Sequence, residues 1–308
     1  YEQYTHYVSS QSPTMKKFVI QMTTAYANMC THVVAPSQSI ADLLKQRGVK
    51  TPVTSIPTGV DFEAFQDGSG KQFRKEFSIP QNARVIGHLG RLAREKNLSF
   101  LTRAVAAYMK QDSRAWFVVV GDGPEKKQME KDLAGQGLGD RLVMTGKQTG
   151  DALVNAYHAM DLFVFSSKSE TQGMVVTEAM AAGNPVVALD ASGVREVVRD
   201  EHNGRLLDEN ADPETFAQAI GRFFAEDGRL QVYSENARET AREFDRMHCA
   251  QKLSELYTHI SRLPAAKKQK INDDLFGNWE EMLKAVRIEW DMLYSKLNAV
   301  AKTLDFLK

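Results

Sequence analysis

The sequence predicts an α/β fold, a Rossmann-like doubly wound parallel sheet domain preceded by the end of another Rossmann-like domain and followed by a helical extension. Three observations predict it. Between Ala83 and Asp208 short, near-continuous apolar runs alternate with helical stretches; each run is followed by Gly or a polar loop; and three further helical stretches come after them. Runs apolar on both faces suit parallel strands covered by helices on both sides.

In order, the strands are expected at Val85–Leu89, Trp116–Val120, Leu142–Thr145, Leu162–Phe165, Pro185–Leu189 and Gly204–Leu207. The helices between them are expected at Leu98–Lys110, Glu125–Ala134, Ala152–Met160, Val175–Ala182 and Val194–Arg199, followed by Pro213–Ala225, Leu230–Glu243 and Met247–Leu263. Upstream, Thr14–Met29 reads as helix and His32–Ala35 as strand. Ser37 is placed to cap a helix over Gln38–Lys45 that Gly48 stops, and Val53–Ile56 reads as a second strand. The polar, Gly-containing stretch Gln66–Lys75 reads as a connection between domains.

These readings divide the chain into residues 1–60, the end of an N-terminal domain; 61–82, an interdomain connection; 83–263, the sheet domain with its C-terminal helices; and 264–308, an amphipathic extension. In the last, apolar residues from Leu275 recur at helical spacing through Trp279, Met282, Val286, Leu293, Leu297, Val300, Leu304 and Leu307. Packing on the protein's own body, self-association through the 275–308 helix and a membrane-surface helix all fit that pattern. The opening "YEQYTHYV" reads as the middle of a longer chain.

At 308 residues, with 43% hydrophobic and 25% charged, the chain is long enough for two ordinary domains. Lys+Arg and Asp+Glu stand at 39 each, so no global field recruits nucleic acid, and any attraction to phosphate or membrane rests on local patches. Cys30 and Cys249 offer neither a disulfide framework nor metal spacing, which fits a reducing compartment. No apolar run approaches the roughly 18 to 20 residues that span a bilayer. A cytoplasmic protein, at most peripheral on the inner face of the cell membrane, is expected.

Three loops leave the carboxyl ends of expected strands, where open α/β sheets bind ligands. They are "GRLAREKN" (Gly90–Asn97), "GDGPEK" (Gly121–Lys126) and "SSKSETQG" (Ser166–Gly173). Arg91 and Lys96 bracket a turn that opens a helix, so two cations and a helix N-terminus can converge on an anion such as a diphosphate. Solvated surface charge is the plainer account of such a pair. Gly121 and Gly123 read as a tight strand-to-helix turn rather than a dinucleotide fingerprint, and His88 as a packed or hydrogen-bonded histidine. In "SETQGMVVTEAMAAGNPVV" (Ser169–Val187), Glu170 lies in the loop and Glu178 a turn or so into the next helix, with Gly173 allowing backbone close to a ligand.

Taken in order, "PTGVD" (Pro57–Asp61), "GRLAREKN", "VVVGDGP" (Val118–Pro124), "TG" (Thr145–Gly146) and "SETQGMVVTEAMAAGNPVV" resemble the retaining glycosyltransferases of family 4, enzymes of the GT-B fold that use nucleotide-sugar donors. The resemblance runs from about Ser37 to Leu263. It implies that Arg91 and Lys96 neutralise the donor's diphosphate, that Glu178, second glutamate of the E-x7-E signature, holds the ribose hydroxyls, and that Glu170, the first, lies at the hydroxyls of the transferred sugar. Backbone at Gln172, Gly173, Met174 and Val175 meets sugar and diphosphate at a helix N-terminus. Gly59 and Gly90 let backbone approach the donor, and Gly146 and Lys147 lie where the base is held. Arg91, Lys96 and Glu170 are the implied catalytic residues. The nucleotide-sugar is a substrate, and the motif asks for neither cofactor nor metal.

"ETQG" and "YEQYTHYV" are similar to enzymes that glycosylate diacylglycerol, which implies a glycerolipid acceptor at a membrane surface, met by Lys16, Lys17, Phe18 and Val19. A UDP-sugar is the favoured donor, and UDP-glucose, UDP-galactose and GDP-mannose share the same motifs. Two alternatives remain open: a donor-binding module that does not turn over alone, and a GT-B nucleotide-sugar epimerase. The Gly-rich loop and histidine that full members carry in their first domain are not found in this sequence.

Overall fold

The computed structural model describes residues 13–225 and 228–263. The opening "YEQYTHYV" and the amphipathic pattern over 275–308 lie outside the described residues. The described residues form two compact units: one takes in residues 13–34, Ala41–Thr54 and residues 257–263, and the other comprises Ala35–Ile40 and Ser55–Leu256.

The first unit contains α1 (Pro13–Met29) and most of α2 (Gln38–Gln46). Asn28 ties them together, donating from Nδ2 to the Gly48 carbonyl at 3.1 Å while its Oδ1 accepts from the Lys50 N–H at 2.6 Å. Gly48, at φ +93°, ends α2 as expected. The short strands β1 (Val33–Ala35) and β2 (Val53–Ser55) pair with each other.

The second unit is built on a six-stranded sheet in which every pairing is parallel: β3 (Arg84–Leu89), β4 (Ala115–Val120), β5 (Leu142–Gly146), β6 (Leu162–Phe165), β7 (Val186–Leu189) and β8 (Gly204–Leu207), in the order β5-β4-β3-β6-β7-β8. The helices are α3 (Gly70–Glu76), α4 (Leu98–Gln111), α5 (Lys126–Ala134), α6 (Gly150–Ala159), α7 (Met174–Ala181), α8 (Pro213–Ala225), α9 (Arg229–Glu243) and α10 (Arg246–Ser261), the last running past the unit's end. Successive strand residues serve opposite faces. Val118 and Val120 join one buried cluster with Tyr157, Phe163, Val176 and Ala237; Phe117 and Val119 join another with Leu101, Val164, Ile220 and Phe223. Both faces of the sheet are therefore covered, which is what the continuous apolar runs require.

Two expected elements differ. Gln66–Lys75 is not an unstructured connection. Ser69 caps α3 by accepting the Gln72 N–H at 3.3 Å, and Phe73 is buried at 3% exposure. Arg74 bonds the Ala159 carbonyl through Nε and Nη2 at 2.9 and 2.7 Å and pairs with Asp161 at 2.9 Å. One buried phenylalanine and one partly buried guanidinium anchor a segment whose composition is otherwise polar. Conversely, Val194–Arg199 is a series of turns rather than a helix. Asn203 draws backbone groups there away from helical pairing, accepting the Arg199 N–H at 2.8 Å and donating to the Val197 carbonyl at 2.9 Å.

Candidate functional site

Strand order reverses between β3 and β6, so the loops leaving these two strands diverge and open a crevice at their carboxyl ends. On the β3 side the loop Gly90–Asn97 lies along the loop that follows β4. The Gly90 N–H donates to the Val120 carbonyl at 3.0 Å, the Leu92 N–H to the Asp122 carbonyl at 2.9 Å, and the Glu125 N–H returns to the Leu92 carbonyl at 3.0 Å. This contact explains the G-x-G pair. A Cβ on Gly121 would stand 1.9 Å from the Gly90 oxygen, and one on Gly123 2.3 Å from the Leu92 oxygen. Two main chains meet where no side chain fits, and an open cavity of about 570 Å³ lies against them, lined by Gly90, Arg91, Gly121, Lys147, Thr149 and Leu153 among others. That volume suits a small-molecule site.

Lys147 reaches this cavity because β5 ends irregularly. The register of β4 and β5 shifts so that Val120 faces Gly146, and the Gly121 N–H donates to the Gly146 carbonyl at 2.8 Å. Lys147 thus lines the same cavity as Gly90 and Arg91, with Gly146 bonded to Gly121 at its edge.

Across the crevice, Lys96 Nζ and Glu170 Oε1 pair at 2.5 Å, with 21% and 14% of their side chains exposed. Side chains of each loop also bond the other's backbone: Ser166 Oγ donates to the Lys96 carbonyl at 2.9 Å, and Asn97 Nδ2 to the Ser166 carbonyl at 3.3 Å. Arg91 is half exposed and pairs with Glu95, four residues on in the same loop. The cationic loop is therefore balanced by two carboxylates, and an incoming anion must compete with both.

Beyond Glu170, Gln172 is buried at 7% exposure and its Oε1 accepts the Thr58 N–H at 3.0 Å, which joins "PTG" to "ETQG". The close approach that Gly59 permits is to Arg246, whose Cα would lie 2.6 Å from a Cβ there. The Val60 N–H bonds the Phe244 carbonyl and the Arg246 N–H bonds the Val60 carbonyl, each at 2.8 Å. Gly173, left-handed at φ +70° and ψ 39°, caps α7, so Met174 and Val175 open that helix.

Glu178 follows on α7 and is partly buried. Its Oε2 accepts the Tyr157 hydroxyl at 2.9 Å. Burial pushes the Glu178 carboxyl above its usual range, and the Tyr157 hydrogen bond works against that rise. Glu170 and Glu178 do not share a partner: one faces Lys96, the other Tyr157. His88 is fully buried, bonded through Nδ1 to the Val164 carbonyl at 3.1 Å, and burial, reinforced by the Lys96 charge, brings its pKa down to about 4. It is a neutral, packed imidazole.

The structure therefore brings Gly90, Arg91 and Lys147 to one cavity, Lys96 to Glu170, and Gln172 to the Pro57–Gly59 turn. Sequence reasoning missed Glu95, whose contact with Arg91 forms across an extended residue, Ala93, rather than along a helix. It also missed Tyr157, for which no local pattern exists.

The family model for "Glycosyl transferases group 1" matches residues 70–240, more than half of the chain. The chain belongs to the group 1 glycosyl transferases. This group 1 chain is 28% identical, over 67% of its length and 48% of the relative's, to alpha-monoglucosyldiacylglycerol synthase of Streptococcus pneumoniae (strain ATCC BAA-255 / R6). It is 34% identical, over 67% of its length and 49% of the relative's, to D-inositol 3-phosphate glycosyltransferase of Saccharomonospora viridis. It spans about half the length of the curated relatives it matches. Among solved structures it resembles Anabaena Alr3699/HepE in complex with UDP-glucose, with a TM-score of 0.67 at 25% identity over 74% of this chain and 64% of that one. It shares the fold of sucrose-phosphate synthase from Thermosynechococcus elongatus, with a TM-score of 0.70 at 24% identity over 82% and 64%. The parallel sheet with helices on both faces is the Rossmann-like arrangement of the GT-B glycosyltransferases.

Proposed function

We propose that this group 1 glycosyl transferase moves a hexose from a nucleotide-sugar, UDP-glucose in type, to a hydroxyl of a glycerolipid with retention of anomeric configuration. The observation that carries the reading is the cation pair Arg91 and Lys96, set on a loop that joins a cavity of about 570 Å³ to Glu170 across the strand-order reversal. In glycosyl transfer the diphosphate departs with negative charge, and fixed cations in a partly dry crevice stabilise that departure. In this reading the base occupies the cavity near Gly146 and Lys147 and the ribose hydroxyls bond Glu178. The sugar hydroxyls meet Glu170, while backbone from Gln172 to Val175 approaches sugar and diphosphate at the start of α7.

The acceptor hydroxyl attacks from the face that the diphosphate leaves, and no side chain is assigned as a nucleophile. The lipid acceptor draws support from the pneumococcal relative's name and from α1, which exposes Lys16, Lys17, Met22, Tyr26 and Met29. A helix that exposes both lysines and large apolar side chains suits a protein that touches a membrane from the cytoplasmic side. Among the described residues no helix is long and apolar enough to cross a membrane. In this proposal residues 1–60 end the acceptor domain, 61–82 connect it through α3, 83–263 bind the donor, and self-association runs through the 275–308 pattern.

Thermal-shift ranking of UDP-, GDP- and ADP-sugars tests the donor site, because a ligand that binds only the folded state raises the melting temperature by mass action. UDP-hexoses are expected to stabilise most, and a flat response to all three sets would overturn the proposal. Calorimetry beside a turnover assay separates a donor-binding module from an active transferase. Conversion of the nucleotide-sugar with no acceptor present would identify an epimerase.

A further inference from the structure

Glu178 is held by one side chain. Tyr157, on α6, is fully buried, and its ring is fixed between Phe65, edge-on at 5.7 Å, and Phe163 at 6.0 Å. Its backbone is fixed as well, since buried Asn184 donates to the Tyr157 carbonyl at 2.9 Å. The phenol has a single proton to give. It lies 2.9 Å from Glu178 Oε2, with the Val175 carbonyl a longer second acceptor at 3.3 Å. Glu178 Oε1 makes no hydrogen bond to the described residues. One carboxylate oxygen is thus committed to the protein interior and the other is left to accept from elsewhere.

That division has a chemical consequence. A carboxylate that accepts from a diol must be ionised and must keep its plane fixed, and burial of Glu178 opposes the first requirement. The phenol O–H supplies both a counter-donor and an orientation, from a ring that cannot turn away. We propose that Tyr157 is a positioning residue for donor recognition: by clamping Oε2 of Glu178 it aims Oε1 at the ribose and sets how strongly the site prefers a ribonucleotide to one without ribose hydroxyls. The proposal rests on the assignment of Glu178 to the ribose made above. Tyr157 touches no substrate and acts only through Glu178.

The test is calorimetric, on this chain, with UDP and 2′,3′-dideoxy-UDP as probes and four proteins: wild type, Tyr157→Phe, Glu178→Gln and the double variant. Tyr157→Phe keeps the ring that packs on Phe65 and Phe163, so the fold is retained, and circular dichroism verifies it. Hydrogen bonds to a charged acceptor discriminate strongly, so wild type is expected to prefer UDP by about a hundredfold. Tyr157→Phe is expected to lower that preference by about tenfold, leave the affinity for dideoxy-UDP unchanged, and add nothing in the Glu178→Gln background.

Equal weakening of both probes, or an unchanged ratio, would show Tyr157 to be merely structural and overturn the proposal. If wild type already binds both probes alike, the assignment of Glu178 to the ribose itself fails. The Glu178→Gln arm tells these apart, because there the ratio falls only when that assignment holds.

Discussion

Lys96 and Glu170 close a 2.5 Å ion pair between the loops that follow β3 and β6, at the place where strand order reverses. Each is assigned to a different part of one ligand, the diphosphate and the transferred sugar, yet without ligand they satisfy each other. Donor binding must therefore replace or share this pair. Replacing Lys96 by Met leaves a partly buried carboxylate alone, and the protein is expected to lose about 1–2 kcal/mol of stability. Chemical denaturation measures this, and the same variant should bind UDP at least about tenfold more weakly.

The two glutamates are expected to fail differently. Glu170→Gln should leave UDP affinity near wild type while weakening the UDP-hexose, whereas Glu178→Gln should weaken both by about tenfold or more. Calorimetry with the two ligands separates the cases, and an identical loss pattern in both variants contradicts the split.

Arg91 is half exposed and paired with Glu95, so it can be recruited to a leaving diphosphate at small cost. In the complete transferase, Arg91→Ala is expected to lower kcat by about 10² to 10³ with a smaller change in KM. Steady-state kinetics that show wild-type kcat would remove Arg91 from the chemistry.

His88 makes stability depend on pH with a defined sign. Its pKa falls from 6.5 in the unfolded chain to about 4 in the fold, so the unfolded state binds the proton first on acidification. Its contribution is present in full above pH 6.5 and is lost as pH falls from there toward 4. The whole loss amounts to about 3 kcal/mol. Urea melts across that window should show a steeper fall for wild type than for His88→Gln, and parallel curves would contradict the account.

Gly123→Ala drives a Cβ to 2.3 Å from the Leu92 carbonyl, and Gly137→Ala meets nothing within 4 Å although its φ is +71°. The first is expected to cost about 3 kcal/mol or more and the second about 1, the strain of a left-handed backbone alone. Denaturation midpoints of the two variants measure the difference.

How much of this was legible in the sequence follows from the range of each interaction. The strands and helices of the sheet unit could be read because apolar runs and helical spacing are local, and Leu162–Phe165 and Gly204–Leu207 stand where expected. Helix α3 was hidden because one buried side chain, Phe73, anchors a polar segment. Val194–Arg199 read as helix because nothing local reveals that Asn203 claims its backbone groups. Motif order singles out Arg91, Lys96 and Glu170 as candidates, and the G-x-G turn could be seen. The reason for that turn, contact with the Gly90 and Leu92 carbonyls, is tertiary. The same is true of Tyr157, which meets Glu178 only because α6 and α7 pack in one cluster.

The most direct measurement is a crystal structure of this chain with UDP bound. The uracil is expected in the cavity beside Gly121 and Lys147, the ribose within hydrogen-bond distance of Glu178, and the diphosphate on Arg91 and Lys96. UDP ordered elsewhere on the protein, with the Lys96–Glu170 pair intact and Glu178 still bonded only to Tyr157, would contradict it.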